Sequence, residues 1–212
     1  MNNIPFFTTQ FGVASLTLDQ IPFNHIAYIR IHSSESQALL LAECLDFCKA
    51  VGAEQVYVTG AEPPDYNRAT VNVIRMKRER KGLPASDLTA VEIDPSNRYQ
   101  FLRSYQEKMH PISHSAGLKE TDIDELIKEK SGYLLYCRQE LLGIGIAQGA
   151  WIRSIIALKP GAGESILLAL NQKLSGDEVH VELVDSNKRA LRLYERLGFK
   201  RYETVSTWYK IL

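Results

Sequence analysis

Cysteine is scarce in this chain, with three thiols, Cys44, Cys48 and Cys137, among 212 residues. So small and odd a set excludes a disulfide-stapled secreted scaffold and fits reduced thiols. Cys44 and Cys48 stand one helical turn apart, but no second Cys or His pair at ligand spacing accompanies them. They read as part of a packed apolar face, and no metal site is expected. Net charge is missing too: 25 Lys and Arg balance 25 Asp and Glu, so no overall field draws the chain to nucleic acid or an anionic bilayer. The densest basic run, M-K-R-E-R-K from Met76 to Lys81, carries an acid inside it and reads as a solvated strand end or turn. No apolar stretch reaches the ~18 residues that span a bilayer, and the opening M-N-N-I-P-F-F lacks the basic start and long apolar run of a signal peptide. A cytoplasmic protein with no nucleic-acid or membrane partner is the expectation.

What is present is an ordinary globular balance, 45% apolar residues, enough for one large core or two modest ones. Phe11 to His32 alternates around a Pro and Asn break, a strand, turn, strand pattern. Ser36 to Gly52 has the apolar spacing of an amphipathic helix ending on a glycine, and Gln55 to Thr59 reads as the next strand. The stretch Gly60 to Tyr66 reads as a loop, Ala69 to Met76 as a strand, and Gly82 to Ser86 as the best linker. Two domains follow from this: residues 1–80, a β-α-β half unit, and residues 87–212. In the second, strands are expected at Leu88 to Ile93, Gly132 to Arg138, Leu142 to Gln148 and Arg153 to Leu158. Helices are expected at Asn97 to Lys108 and from Thr121, whose pairing with Asp124 fits a capping box. The remainder reads as a helix from Glu164 to Leu174, a strand at His180 to Val184, a helix from Lys188 to Leu197, and two short strands around Arg201 to Val205 and Thr207 to Ile211. Strand, helix, strand implies a parallel pair with a ligand crevice at the strands' C-terminal ends. Ala27 to Gly60 can be laid over Arg153 to Ser186 as a weak internal repeat.

The stretch that carries chemistry is Val181 to Phe199, V-E-L-V-D-S-N-K-R-A-L-R-L-Y-E-R-L-G-F. Asn187 can cap the helix, Ala190 keeps its first turn thin, Tyr194 shares Ala190's face one turn on, and Gly198 supplies the left-handed stop before Phe199. Upstream, L-K-P-G-A-G-E-S from Leu158 to Ser165 sets Gly161, Ala162 and Gly163 before a helix, where successive backbone N–H groups can cradle phosphate. Glu164 in that first turn would oppose an anion. Together these residues resemble the GNAT superfamily of N-acetyltransferases. The pattern departs from the family at Leu158, which takes the place of an Arg or Gln, and in a loop after Pro160 that is about four residues shorter than the family's.

The resemblance implies an α/β (α+β) fold of GNAT type, a mixed central sheet with flanking helices, preceded by a partial GNAT-like β-α-β unit. It implies acetyl-CoA as cosubstrate, bound by Ile156, Ala157, Leu158, Gly161, Ala162, Gly163, Asn187, Ala190 and Tyr194, with strand amides of Ile155 to Leu158 receiving the oxyanion. Tyr194 takes the general-acid position. The strand Arg153 to Leu158 offers no carboxylate, which leaves Glu182 and then His180 as candidate bases, or water. His110 and His114 lie in a loop that could line the acceptor pocket and read as solvated. The acceptor is expected to be a small-molecule or peptide amine. Two other readings stand beside the enzyme: a degenerate GNAT-like domain that binds acyl-CoA or a protein partner without catalysis, and a module whose N-terminal unit forms a homodimer.

Overall fold

The computed structural model describes residues 6–60, 70–110, 112, 114 and 116–212. Most of the expected loop at Gly60 to Tyr66, and the start of the strand expected at Ala69, lie outside the described residues. In chain order the elements are β1 (Phe6–Thr9), β2 (Gly12–Thr17), α1 (Ile21–Asn24), β3 (Ile26–Ser34), α2 (Gln37–Ala50) and β4 (Gln55–Thr59). There follow β5 (Thr70–Glu79), β6 (Thr89–Glu92), α3 (Arg98–Met109), α4 (Glu120–Lys128), β7 (Gly132–Cys137), β8 (Glu140–Gln148) and β9 (Trp151–Ala157). The last four are α5 (Gly163–Asn171), β10 (Glu178–Val184), α6 (Lys188–Arg196) and β11 (Lys200–Lys210). The chain divides into two compact units, Met1–Asn72 with Ser206–Leu212, and Val73–Val205. The break expected at Gly82 to Ser86 differs from this division because β5 pairs with β10 from Val73 to Glu79, while the end of β11 pairs with β4 at Tyr209↔Val58 and Lys210↔Tyr57.

In the first unit the strands run β1, β2, β3, β4, β11, and only β3 and β4 are parallel, joined by α2. Leu40, Cys44 and Cys48, at i, i+4 and i+8, bury one stripe of α2. They pack on Ala27 and Ile29 of β3 and on Val56 and Val58 of β4. Burial pushes the Cys44 thiol up to about 12 and Cys48 up to about 11, so both remain neutral apolar packing groups.

In the second unit the order is β11, β5, β10, β9, β8, β7, β6, and β9 and β10 form the parallel pair. Alternation along β9 separates two cores. Ile155 and Ala157 pack against the cluster built on α5, and Ile156 and Leu158 against the one built on Phe101, Tyr105 and Ile123 of α3 and α4. The helix pair α3/α4 and the helix α5 therefore lie on opposite faces. Helix α5 is buried almost all round, from Ile166 to Asn171, and it lies unusually close to β8. The run L-G-I-G-I allows this: a Cβ on Gly143 would stand 2.2 Å from Ile166 Cδ1, and one on Gly145 would stand 2.4 Å from Leu170 Cδ1.

The basic run 76–81 is structural. Arg78 donates to the carbonyl of Leu197 at the end of α6, and Arg80 donates to the Asn171 carbonyl at 2.8 Å and the Gly176 carbonyl at 2.9 Å, stapling the exit of α5. Cations at helix C-termini meet the negative end of the dipole and its orphan carbonyls. Two local expectations are corrected. Helix α4 starts one residue earlier, with Asp122 accepting the Lys119 N–H at 2.7 Å, so the capping pair is 119/122 and not Thr121/Asp124. The two short strands at the C-terminus are one continuous strand, β11.

Candidate active site

The parallel pair in each unit has a different fate. In the first unit β3 and β4 are paired at five positions, from Ile26↔Gln55 to Arg30↔Thr59. In the second, β9 and β10 are paired only at His180↔Trp151 and Val181↔Ile152. Beyond that point β9 stays with β8, through Ala157↔Gly143, and β10 with β5, through Val184↔Val73. The strands thus part from Arg153 and Glu182 onward. An opening between parallel strands exposes alternate backbone groups along its edge. Leu158 N–H donates to the Leu142 carbonyl at 2.9 Å, on the β8 side, so by alternation Ile156 faces β8 as well and the amides of Ile155 and Ala157 turn to the gap. Leu158, expected among the cosubstrate-binding residues, has its amide engaged and its side chain packed, partly buried, against the α3/α4 core.

A cavity of about 710 Å³ opens at this gap, in the range of small-molecule and cofactor sites. Its floor is Ile155, Ile156 and Ala157, one wall is Gly161 and Gly163 at the start of α5, and the other is Asn187, Ala190, Leu193 and Tyr194 of α6. Lys108, Met109 and Ile112, from the end of α3 and the segment after it, complete the lining. The walls are built by local rules. Asn187 Oδ1 accepts the Ala190 N–H at 3.1 Å, capping α6, and Gly198 at φ +82 ends that helix. Gly161, at φ +84, turns the chain into α5, and Leu193 of α6 lies beside Gly163, where even an added Cβ would be at contact distance, 3.4 Å from Leu193 Cδ2. The first-turn amides of α5 have no partner one turn earlier in the helix and form the usual anion-attracting end.

Of the residues singled out in the sequence, Ile156, Ala157, Gly161, Gly163, Asn187, Ala190 and Tyr194 meet in this one cavity. Ala162 does not line it; it is 8% exposed and packs in the α5 core. Glu182 does not line it either. It faces away from Val181 and Leu183, is exposed, and pairs with Arg75 at 2.9 Å. His180 shares that outer side, with Nδ1 3.2 Å from the Tyr202 hydroxyl and its ring 4.9 Å from that of Trp151. Period-two alternation, applied to β10, would have separated these two from the apolar residues beside them.

Tyr194 is 8% exposed, and its ring lies 5.4 Å from Phe199. Desolvation pushes its hydroxyl up to about 12, and that hydroxyl has no hydrogen-bond partner among the described residues. The hydroxyl oxygen is not among the fully enclosed unsatisfied atoms, so water or a ligand can reach it. Charge among the described lining residues is one-sided: Lys108, Arg189, Arg192 and Arg196 against a single acid, Glu164. Arg196 lies 2.7 Å from Glu164 and neutralises it, while Lys108, Arg189 and Arg192 have no ion-pair partner among the described residues. These cations were missed in the sequence because R-x-x-R-x-x-x-R on a helix looks like a solvated face.

No family model matches the chain, and no curated protein matches it in sequence. Solved structures do match its shape. A conserved protein of unknown function from Staphylococcus epidermidis aligns over 99% of this chain and 94% of its own, with a TM-score of 0.59 and 12% identity. A GCN5-related N-acetyltransferase from Sphaerobacter thermophilus aligns over 93% and 75%, with a TM-score of 0.55 and 13% identity. A GNAT-family acetyltransferase from Colwellia psychrerythraea aligns over 97% and 84%, with a TM-score of 0.52 and 15% identity. The fold is that of the GNAT superfamily, a mixed α+β architecture with helices flanking the sheet.

Proposed function

We propose that the chain is an acetyl-CoA-dependent N-acetyltransferase acting on the amine of a small molecule or peptide. One observation carries this reading: the end of β9 where it parts from β10, the start of α5 and Tyr194 of α6 line a single cavity. The residues fit the cosubstrate chemically, with cations and helix amides for phosphate, an apolar floor for a pantetheine arm, and an unpartnered donor at the inner end. Acetyl-CoA would supply an acyl group activated as a thioester.

The chain's residues then divide the work. The amides of Ile155 or Ala157, turned toward the gap, donate to the carbonyl oxygen as negative charge builds on it. A C–N bond forms as the C–S bond breaks, and the departing sulfur takes the electron pair. Tyr194 donates to that sulfur. At about 12 its hydroxyl is a far weaker acid than a thiol of about 8.5, so full transfer is uphill by roughly 5 kcal/mol and the tyrosine acts by hydrogen bonding. Among the described residues the only carboxylate lining the cavity, Glu164, is paired with Arg196. The amine therefore has to attack in its neutral form, and the proton its nitrogen sheds as the C–N bond forms passes to the departing thiolate, directly or through water.

That shortage favours one alternative, a domain that binds acyl-CoA without turning it over, and it is supported by the leucine at position 158. Thermal unfolding with acetyl-CoA and a thiol-release screen over amines, polyamines, amino acids and peptides separate the two. A ligand at a hundred times its Kd adds about 2.7 kcal/mol of stability. Stabilisation with thiol release supports the enzyme, stabilisation alone supports the binder, and the absence of both refutes the acyl-CoA reading. We further propose that the protein works in the cytoplasm, without nucleic acid or membrane, and that any homodimer is incidental to the cavity.

A further inference from the structure

The family pattern has an Arg or Gln at the position of Leu158, and here the side chain is apolar and packs, partly buried, against the α3/α4 core. The start of α5 offers backbone amides and about half a positive charge from its dipole, too little by itself for a dianion. Glu164 in the same turn would cancel even that, were it not held by Arg196 at 2.7 Å. The positive charge that remains lies on α6. Arg189, Arg192 and Arg196 stand at i, i+3 and i+7, so they share one face, with Leu193 beside them against Gly163. Arg196 reaches α5's first turn, which places Arg192, one helical turn earlier on the same face, along the same wall. Lys108 lines the cavity from α3. Tyr194, a buried ring with no hydrogen-bond partner for its hydroxyl among the described residues, lines the same cavity.

We propose that Arg189 and Arg192, with Lys108, bind the diphosphate of CoA beside the first-turn amides of α5, so that α6 supplies the side-chain charge that Leu158 does not. This rests on the acyl-CoA reading. The test is calorimetric titration of the full chain with CoA, 3′-dephospho-CoA and pantetheine, for the parent and for Arg189→Gln, Arg192→Gln and their combination. A charged hydrogen bond at an exposed site predicts a loss of several-fold to about tenfold for each arginine and about thirtyfold for the pair. The loss should be equal for CoA and 3′-dephospho-CoA and absent for pantetheine, and the parent's affinity should fall more steeply with KCl than the double variant's. Arg103→Gln, which removes an exposed cation paired with Glu107 outside the cavity, should leave all three affinities unchanged. Equal affinity in parent and double variant, loss confined to CoA, or equal loss for pantetheine would overturn the assignment. A parent that binds none of the three overturns the acyl-CoA reading itself. Circular dichroism and melting curves within error of the parent establish that the variants are folded.

Discussion

Replacing Tyr194 by Phe should move stability and turnover in opposite directions. The ring remains, with its contact to Phe199 at 5.4 Å, and only a hydroxyl without a protein partner is lost. A polar group withdrawn from water without a compensating bond costs about 1–3 kcal/mol in mutational data. Here the oxygen is not among the fully enclosed unsatisfied atoms, so the gain on deletion is at the low end, about 0.5–1 kcal/mol. For a domain of this size that raises Tm by about 1–4 °C. Turnover should fall, because a hydrogen bond to a developing thiolate is charge-assisted and worth about 1.5–3 kcal/mol, or roughly 10- to 100-fold in kcat. KM for acetyl-CoA should change little, since the bond strengthens only as charge develops. Scanning calorimetry and a steady-state thiol-release assay read the two effects. Unchanged kcat would refute the donor role. A Tm lowered by several degrees would show that the hydroxyl serves the apo fold, and the cavity reading of that residue would fail.

Four further outcomes are expected. Glu164→Gln frees Arg196 and should tighten CoA binding two- to fivefold, an effect absent in an Arg196→Gln background; equal effects in both backgrounds would exclude the ion pair as the cause. Gly143→Ala sets a methyl 2.4 Å from the Ile156 carbonyl oxygen as well as against Ile166, and because a backbone atom cannot rotate away, it should cost about 2–3 kcal/mol and lower Tm by roughly 5–10 °C; a neutral variant would deny the close seating of α5. Native protein should show one fast thiol toward an aromatic disulfide reagent, exposed Cys137, with Cys44 and Cys48 reacting only on unfolding; labelling of either buried thiol in the folded state would contradict the packing of α2. The same raised values give an alkaline signature: Cys44, Cys48 and Tyr194 hold protons above their ordinary 9.0 and 10.0, so their contribution is complete below about pH 9 and is lost as pH climbs toward 11 to 12. Melting temperatures that stayed level from pH 8 to 11 would contradict it.

Some of this was written in the residues themselves. Apolar period and capping chemistry placed α2, α3, α5 and α6 to within a few residues, because each depends on neighbours one turn away. Asn187 and Gly198 act locally, as a cap and a stop, and so could be read in advance. Failures occurred where a second segment decided. Glu182 was a reasonable base by position, but its strand turns it outward onto Arg75, a residue more than a hundred positions away in the chain. Leu158 offered an amide until Leu142 claimed it. Two strands were expected at the C-terminus, yet the chain runs on as one from Lys200 to Lys210.

The sequence alone determined that there would be two strand, helix, strand crossovers and that the second would carry a capped, tyrosine-bearing helix behind a glycine turn. Whether either crossover could hold a ligand was left to the tertiary structure. In the first, β3 and β4 remain hydrogen-bonded over five positions; in the second, β8 and β5 draw β9 and β10 apart after two. Hydrogen bonding between strands is settled by competition among all the edges available, a property of the assembled sheet, and local sequence does not encode it.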